Sequence, residues 1–444
     1  MPTAGVASST RNDRRPDVAA AGLAVVLVLA AGVAGWWLNG HGQRVWAGAP
    51  PLYGTWRVRV GPGTPLAAGI ALLVLGYGPP LAARLPWRRL LGLAYACAAA
   101  WSLGLGLVDG WRRGLATRLV TEHEYLSEVD GVRDVGAMLR GFTDRILDYQ
   151  PDSWATHVAG HPPGALLVFV ALDRIGLSGG GWAAALCVLA GATTAVSVPV
   201  ALRALGAPDA ARAAVPFLVL FPGAVWFGAS ADAVFAAVTT AGVALLAIAS
   251  TVTSRRGDAL ATGAGVALGA GVFLSYGLVL MGLIALAVTV VAGRVRPLVF
   301  AACGAAGVVL AYAAAGFWWL DGYHLVVARY GQSVARLRSY GYWVWANLAC
   351  LVLSAGPATA PMLRRAAVSR GRSPAVLLPL AAGLAMLAAD LSGLSKAEVE
   401  RIWLPFAVWL PAAAGLLPGP DRRGWLAAQA VTALAVNHLV FTNW

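Results

Sequence analysis

Along the chain, long apolar runs alternate with short polar breaks, and most runs have the length that a bilayer-spanning helix needs, about 20 residues. Runs at 18–38, 66–83, 90–108, 213–229, 233–250, 297–320, 341–362, 374–394, 402–418 and 424–441 stand between polar turns, and 258–293 reads as a hairpin turning near Ser275-Tyr276. Between Pro162 and Leu205 the number of crossings stays open, because the run 163–175 is short and Ser178-Gly179-Gly180-Gly181 could be a turn or a kink. The pattern predicts an all-α polytopic membrane protein with roughly twelve to fourteen transmembrane helices. A tail over 1–17 precedes a single transmembrane unit over 18–444.

The long exception is the stretch 109–162, which holds about half of the acids in the chain. Within it, Val132, Val135, Leu139, Phe142 and Ile146 recur at spacings of three and four, which predicts an amphipathic helix over 129–147 lying on the membrane surface. A second polar stretch, 321–340, follows the run 297–320.

Charge then fixes an expected orientation. Breaks dominated by arginine, at 84–89, 203–212, 255–256, 294–296, 364–372 and 422–423, belong on the cytoplasmic side. Breaks with acids or histidines (109–161, Asp232, 321–340, 395–401, Asn437-His438) then all fall on the outer side, and Arg11, Arg14 and Arg15 keep the N-terminus in the cytoplasm. This is the arrangement of a multi-pass plasma (inner) membrane protein with an extracytoplasmic site. A chain that is 59% hydrophobic and only 12% charged is not a large soluble domain. Its net charge of +13 follows from arginines in short turns, and implies no nucleic-acid partner. The four cysteines sit singly in apolar runs, so neither a disulfide framework nor a zinc site is indicated.

Chemistry concentrates at the first outer loop. Glu122-His123-Glu124-Tyr125 follows a membrane exit, where a carboxylate can reach an acceptor hydroxyl while a lipid donor stays in the bilayer. His157 and His161 are four apart, but Pro162 and Pro163 break the continuous helix that such a metal pair needs. The residues assign no metal site and leave a divalent cation open. Glu398, Glu400 and Arg401 stand at the mouth of a helix, where charges are costly and hence functional candidates.

An outer acidic stretch, an interfacial segment and His161-Pro162-Pro163-Gly164 opening a membrane helix occur here in the order of the GT-C class of polytopic glycosyltransferases, which the chain resembles. Phe221-Pro222-Gly223 with Ser230-Ala231-Asp232-Ala233-Val234-Phe235 is similar to a Pro…Ser-Asp/Glu-x-x-Phe segment of the GPI mannosyltransferase branch. The resemblance implies a GT-C-like fold. It also implies an inverting transfer of mannose, or another hexose or pentose, from a polyprenyl phosphate to a glycan, lipid or protein acceptor. The acceptor's base would be Glu124, or else Glu122 or Asp109.

No Gly-rich phosphate loop follows any strand, which suits a lipid-borne donor; its phosphate would need cations at the outer interface. Those are sought in His324, Arg329, Arg336 and Arg338, or in Arg401 with Glu398 and Glu400; His157, His161 and Asp232 complete the candidate donor or substrate contacts. The alternative is a transporter or flippase for a lipid-linked or polar solute, which should show two related halves with polar positions near the midplane. Here the polar positions gather at one face and no repeat is evident.

Overall fold

A computed structural model describes residues 14–442; the expected tail before Arg14 lies outside the described residues. Among these, nine helices are long and apolar enough to cross a membrane, and a tenth span arises if the bent pair Tyr340–Ala355 and Thr359–Val368 is counted as one. The fold is all-α and polytopic, apart from a two-stranded antiparallel ribbon pairing Gly54–Trp56 with Val440–Thr442.

The count falls below twelve because several apolar runs do not form one long helix. Pro163–Arg174 has 12 residues, about 18 Å at 1.5 Å per residue, well short of a 30 Å hydrocarbon core. The run 402–418 breaks into Leu404–Ala407 and a 3₁₀ stretch Leu410–Leu416, with Pro405 and Pro411 removing backbone donors. Helix Arg422–Leu439 is of spanning length, but Gln429, Asn437 and His438 lower its apolarity. The first helix already includes Arg14, the first described residue, ahead of Val18, and its Asp17 is buried between Arg364 and Arg365.

The polar breaks pair off in two groups. At one end Arg212 donates to the carbonyls of Ala82 and Leu85, Arg296 pairs with Asp258, and Asp17 with Arg364 and Arg365. At the other end the segments around 124, 157, 232, 338 and 398–401 meet. Small residues permit close helix contact between them. A Cβ on Gly265 would come within 1.8 Å of the Ala301 carbonyl oxygen, which locks Arg255–Leu274 against Arg296–Ala314. The 108° bend after Ala355 rests on Gly356, whose φ of +85° suits glycine and whose missing side chain makes room for Gln429, itself bonded to the Ala355 carbonyl.

Two surface elements differ from expectation. The amphipathic face over 129–147 is real, since Val132, Leu139, Phe142 and Ile146 are buried, but Gly131 and Gly141 interrupt the helix and leave only Val135–Arg140, capped by Asp134, and a 3₁₀ turn at Thr143–Arg145. The stretch 321–340 is no open loop: it is the helix Trp319–Gln332 followed by a 3₁₀ turn, Val334–Leu337.

Candidate active site

The first polar segment folds back on itself before it presents any side chain. Phe142 and Trp154 pack together with Phe317, Arg145 lies 3.4 Å over the Trp154 ring, and Glu128 binds both Arg145 and the backbone of Ala155. One backbone bond then matters most. His157 donates from its main-chain nitrogen to the carbonyl of His123 at 2.9 Å, bringing residues 124 and 157 side by side although 33 positions separate them in sequence.

From there a buried chain of polar groups runs through four distant segments. Glu124 Oε1 lies 2.9 Å from His157 Nδ1; His157 Nε2 lies 2.9 Å from Arg401 Nη2. Arg401 Nη1 donates to Asp232 Oδ2 at 3.0 Å and its Nη2 to Glu398 Oε2 at 3.1 Å. Glu398 Oε1 in turn accepts from Arg338 Nη2 at 2.9 Å. A guanidinium only donates, so His157 Nε2 is the acceptor and the imidazole proton sits on Nδ1, facing Glu124. Ser230 donates to the Asp232 carboxylate at the opening of the helix Asp232–Ala249.

The electrostatics follow from burial and alternation of sign. Burial would raise the Glu398 carboxyl, but Arg401 and Arg338 outweigh it and hold it below the usual range. Burial would likewise lower Arg401, yet Asp232 and Glu398 keep its charge firmer than in water. Backbone strain accompanies this geometry: Ala397 and Glu398 both take positive φ, 69° and 64°, which turns Glu398 back between its two arginines.

Next to the chain, Tyr125 stacks on Phe169 and lies against both histidines. His161 Nδ1 is 2.8 Å from the His157 carbonyl and 3.0 Å from the Tyr125 hydroxyl. Burial lowers the His161 imidazole to about 4, so the ring is neutral at pH 7, with its proton on Nδ1.

The sequence candidates divide accordingly. Glu124, His157, Asp232, Glu398 and Arg401 are brought together, with His161 beside them. Of the cations in 321–340, Arg338 reaches the chain; His324 and Arg336 are exposed, and Arg329 pairs with Asp148 instead. Glu122 projects outward with 87% of its side chain exposed, beside His123. Glu400 points away, wholly buried beside Cys350 and the backbone of Tyr53. Asp109 belongs to a different cluster, held by Arg59 and Arg118. Sequence reasoning missed those two arginines and also Tyr53, whose ring lies under the Arg338 guanidinium. No periodicity signals partners so far apart. Among the described residues no cluster of three or more His, Cys, Asp or Glu side chains is arranged to hold a metal.

No family model and no curated protein matches the chain. Solved structures do resemble it. ArnT from Cupriavidus metallidurans aligns at 18% identity with a TM-score of 0.45, over 72% of this chain and 58% of its own. The oligosaccharyltransferase of Archaeoglobus fulgidus, tethered to an acceptor peptide containing the NVT sequon, aligns at 14% identity with a TM-score of 0.46, over 79% of this chain and 55% of its own. The chain thus spans little more than half the length of either. Likeness at this level decides nothing about chemistry, which rests on the site itself.

Proposed function

We propose that this chain is a membrane glycosyltransferase that moves a sugar from a polyprenyl phosphate to an acceptor hydroxyl at the outer face of the plasma membrane. The supporting observation is the buried chain Glu124–His157–Arg401–Asp232/Glu398–Arg338. Ionic groups at a membrane face cost free energy unless paired, and five of them, with His157 between two, are drawn here from four segments. Glu124 fits the base. Its Oε1 faces His157 Nδ1, and that imidazole orients the carboxylate to take the proton of an attacking hydroxyl. The hydroxyl oxygen bonds to the anomeric carbon from the face opposite the phosphate, the carbon–oxygen bond to phosphate breaks, and its electron pair leaves with the polyprenyl phosphate. One displacement inverts the anomeric centre. Arg338 and Arg401 supply positive charge beside that reaction. Mannose, or another hexose or pentose, is the sugar in this reading.

The test is transfer in membranes from a panel of radiolabelled polyprenyl-phosphate sugars. The expected result is label moved from one donor only when the protein is present. Transfer from none of them, alongside protein-dependent flux of a labelled solute across sealed vesicles, would establish the transporter alternative.

A further inference from the structure

At the same end of the bundle, away from the Glu124 chain, a cleft of about 670 Å³ opens between the end of helix Arg14–Gly40 and the start of helix Tyr340–Ala355. We propose that this cleft is a binding site for an anionic phospholipid, separate from the sugar donor's site. Three observations carry it.

The mouth holds a cation without an acid. Arg44 is exposed, lies 5.8 Å from the Trp46 ring, and has no carboxylate partner among the described residues. The loop that carries it is rigid. Asn39 accepts from the Val45 nitrogen at 2.9 Å and donates to the Ala47 carbonyl at 3.0 Å, and Trp343 donates to the Val45 carbonyl at 3.2 Å. This bracket holds Trp46 at a φ of +59°, a conformation that a bulky side chain adopts only when its surroundings impose it. The third observation is the wall. Ala34 and Leu38 line the cleft, and the same face of their helix continues down the bundle through Ala30, Leu27 and Leu23, the last 70% exposed. A site with a fixed cation at its lip and an apolar wall running along a membrane span matches a phosphate headgroup above acyl chains.

None of the residues that line the cleft belongs to the Glu124 chain. Leu337 and Ser339 line it, whereas Arg338 between them turns the other way to Glu398. Residues 338 and 339 are extended, so neighbouring side chains face opposite sides. A headgroup on Arg44 therefore braces the back of the segment that positions Arg338, without access to Glu124.

The full chain is placed in nanodiscs of phosphatidylcholine with a small fraction of phosphatidylglycerol carrying a diazirine in its acyl chain, and in parallel with the same diazirine on phosphatidylcholine. Peptides with Leu38–Trp46 or Trp345 should be labelled several-fold more by the phosphatidylglycerol probe, and Arg44→Gln should abolish that preference. Gly341→Leu should reduce labelling by both probes: the nearest atom to its Cβ is Ser339 Oγ at 3.9 Å, so the new side chain enters the cleft without a clash. Equal labelling by both probes, or a preference that survives Arg44→Gln, overturns the proposal. So does complete competition by inorganic phosphate, which would make the ligand a free anion. Glu124→Gln should label as the unaltered protein does, so failure of the sugar-transfer reading and failure of the lipid site are read separately.

Discussion

Two clusters of charge, built from the same residue types, differ in what they leave open. Around Asp109, two arginines converge on one carboxylate: Arg59 also binds the carbonyls of Asn437 and Val440, Arg118 that of Thr442, and both guanidiniums lie over the Phe441 ring. Acid and base there are spent on fastening the ribbon Gly54–Trp56 with Val440–Thr442 to the end of helix Trp87–Gly106. Around Arg401 the acids outnumber the cations, a histidine of fixed tautomer is interposed, and the chain ends in the Glu124 carboxylate against that imidazole. The first cluster ties chain ends to backbone carbonyls, whereas the second joins side chains of distant segments around one arginine. The first cluster reads as structure and the second as chemistry.

The largest expected effect tests whether Arg401 is the hub. Arg401→Met leaves Asp232 and Glu398 buried without their shared cation, a loss of about 3–5 kcal/mol for a broken buried pair. The thermal midpoint in detergent should collapse and transfer should vanish. Arg401→Lys should recover part of both, because a point charge cannot serve His157, Asp232 and Glu398 together. Equal midpoints for Arg401→Met and the unaltered protein would remove the hub from the picture.

The next pair of variants sets the clusters against each other. Glu124→Gln keeps size and hydrogen bonding but cannot take a proton, so transfer should fall by about 10²–10⁴-fold while the midpoint changes little. Asp109→Asn should behave in the reverse sense. It uncovers two cations, lowers stability by about 1–3 kcal/mol, and leaves transfer per folded molecule near normal. Transfer lost with Asp109→Asn and kept with Glu124→Gln would exchange the roles given to the two carboxylates.

How much of this could be read from the sequence depends on range. Membrane architecture and the segregation of arginine-rich from acidic breaks were legible because each is a local property of composition. Helix number was not: prolines at 405 and 411 and the shortness of 163–174 break apolar runs without changing their hydropathy. Within the site, Glu124 stood out as an acid of the first outer loop, His157 as one of two histidines before Pro162-Pro163, Asp232 through a family-like segment and Arg401 as a charge at a helix mouth. Their pairing did not, since Asp232 and Arg401 lie 169 positions apart and meet only through tertiary packing. The two arginines on Asp109 were hidden for the same reason, 50 positions away in one case. Glu400 misled in the opposite direction, because two acids on either side of one residue look alike in sequence while a tight turn sends them to opposite faces.

The smallest expected effect concerns that turn and its pH dependence. Glu400 is wholly buried, and burial pushes its carboxyl up from 4.5 to about 7. A raised folded value means that the native state holds a proton which the unfolded chain releases earlier, so this group's contribution to stability is full below pH 4.5 and lost as pH rises towards about 7. His161 has the opposite sign: its value drops from 6.5 to about 4, so its contribution is full above pH 6.5 and lost as pH falls. The two oppose each other between pH 5 and 6.5, so the midpoint of the unaltered protein alone is a poor readout. Differences isolate them. Relative to the unaltered protein, Glu400→Gln should gain thermal stability as pH rises from 5 to 7, and His161→Asn should gain it as pH falls from 6.5 to 5, both followed by intrinsic tryptophan fluorescence on heating. Since Glu400 faces away from the Glu124 chain and His161 lies beside it, only His161→Asn should also shift the pH profile of transfer. A flat Glu400→Gln difference across this window would mean that the buried carboxyl holds no extra proton, and a shifted transfer profile would bring Glu400 into the reacting group of residues.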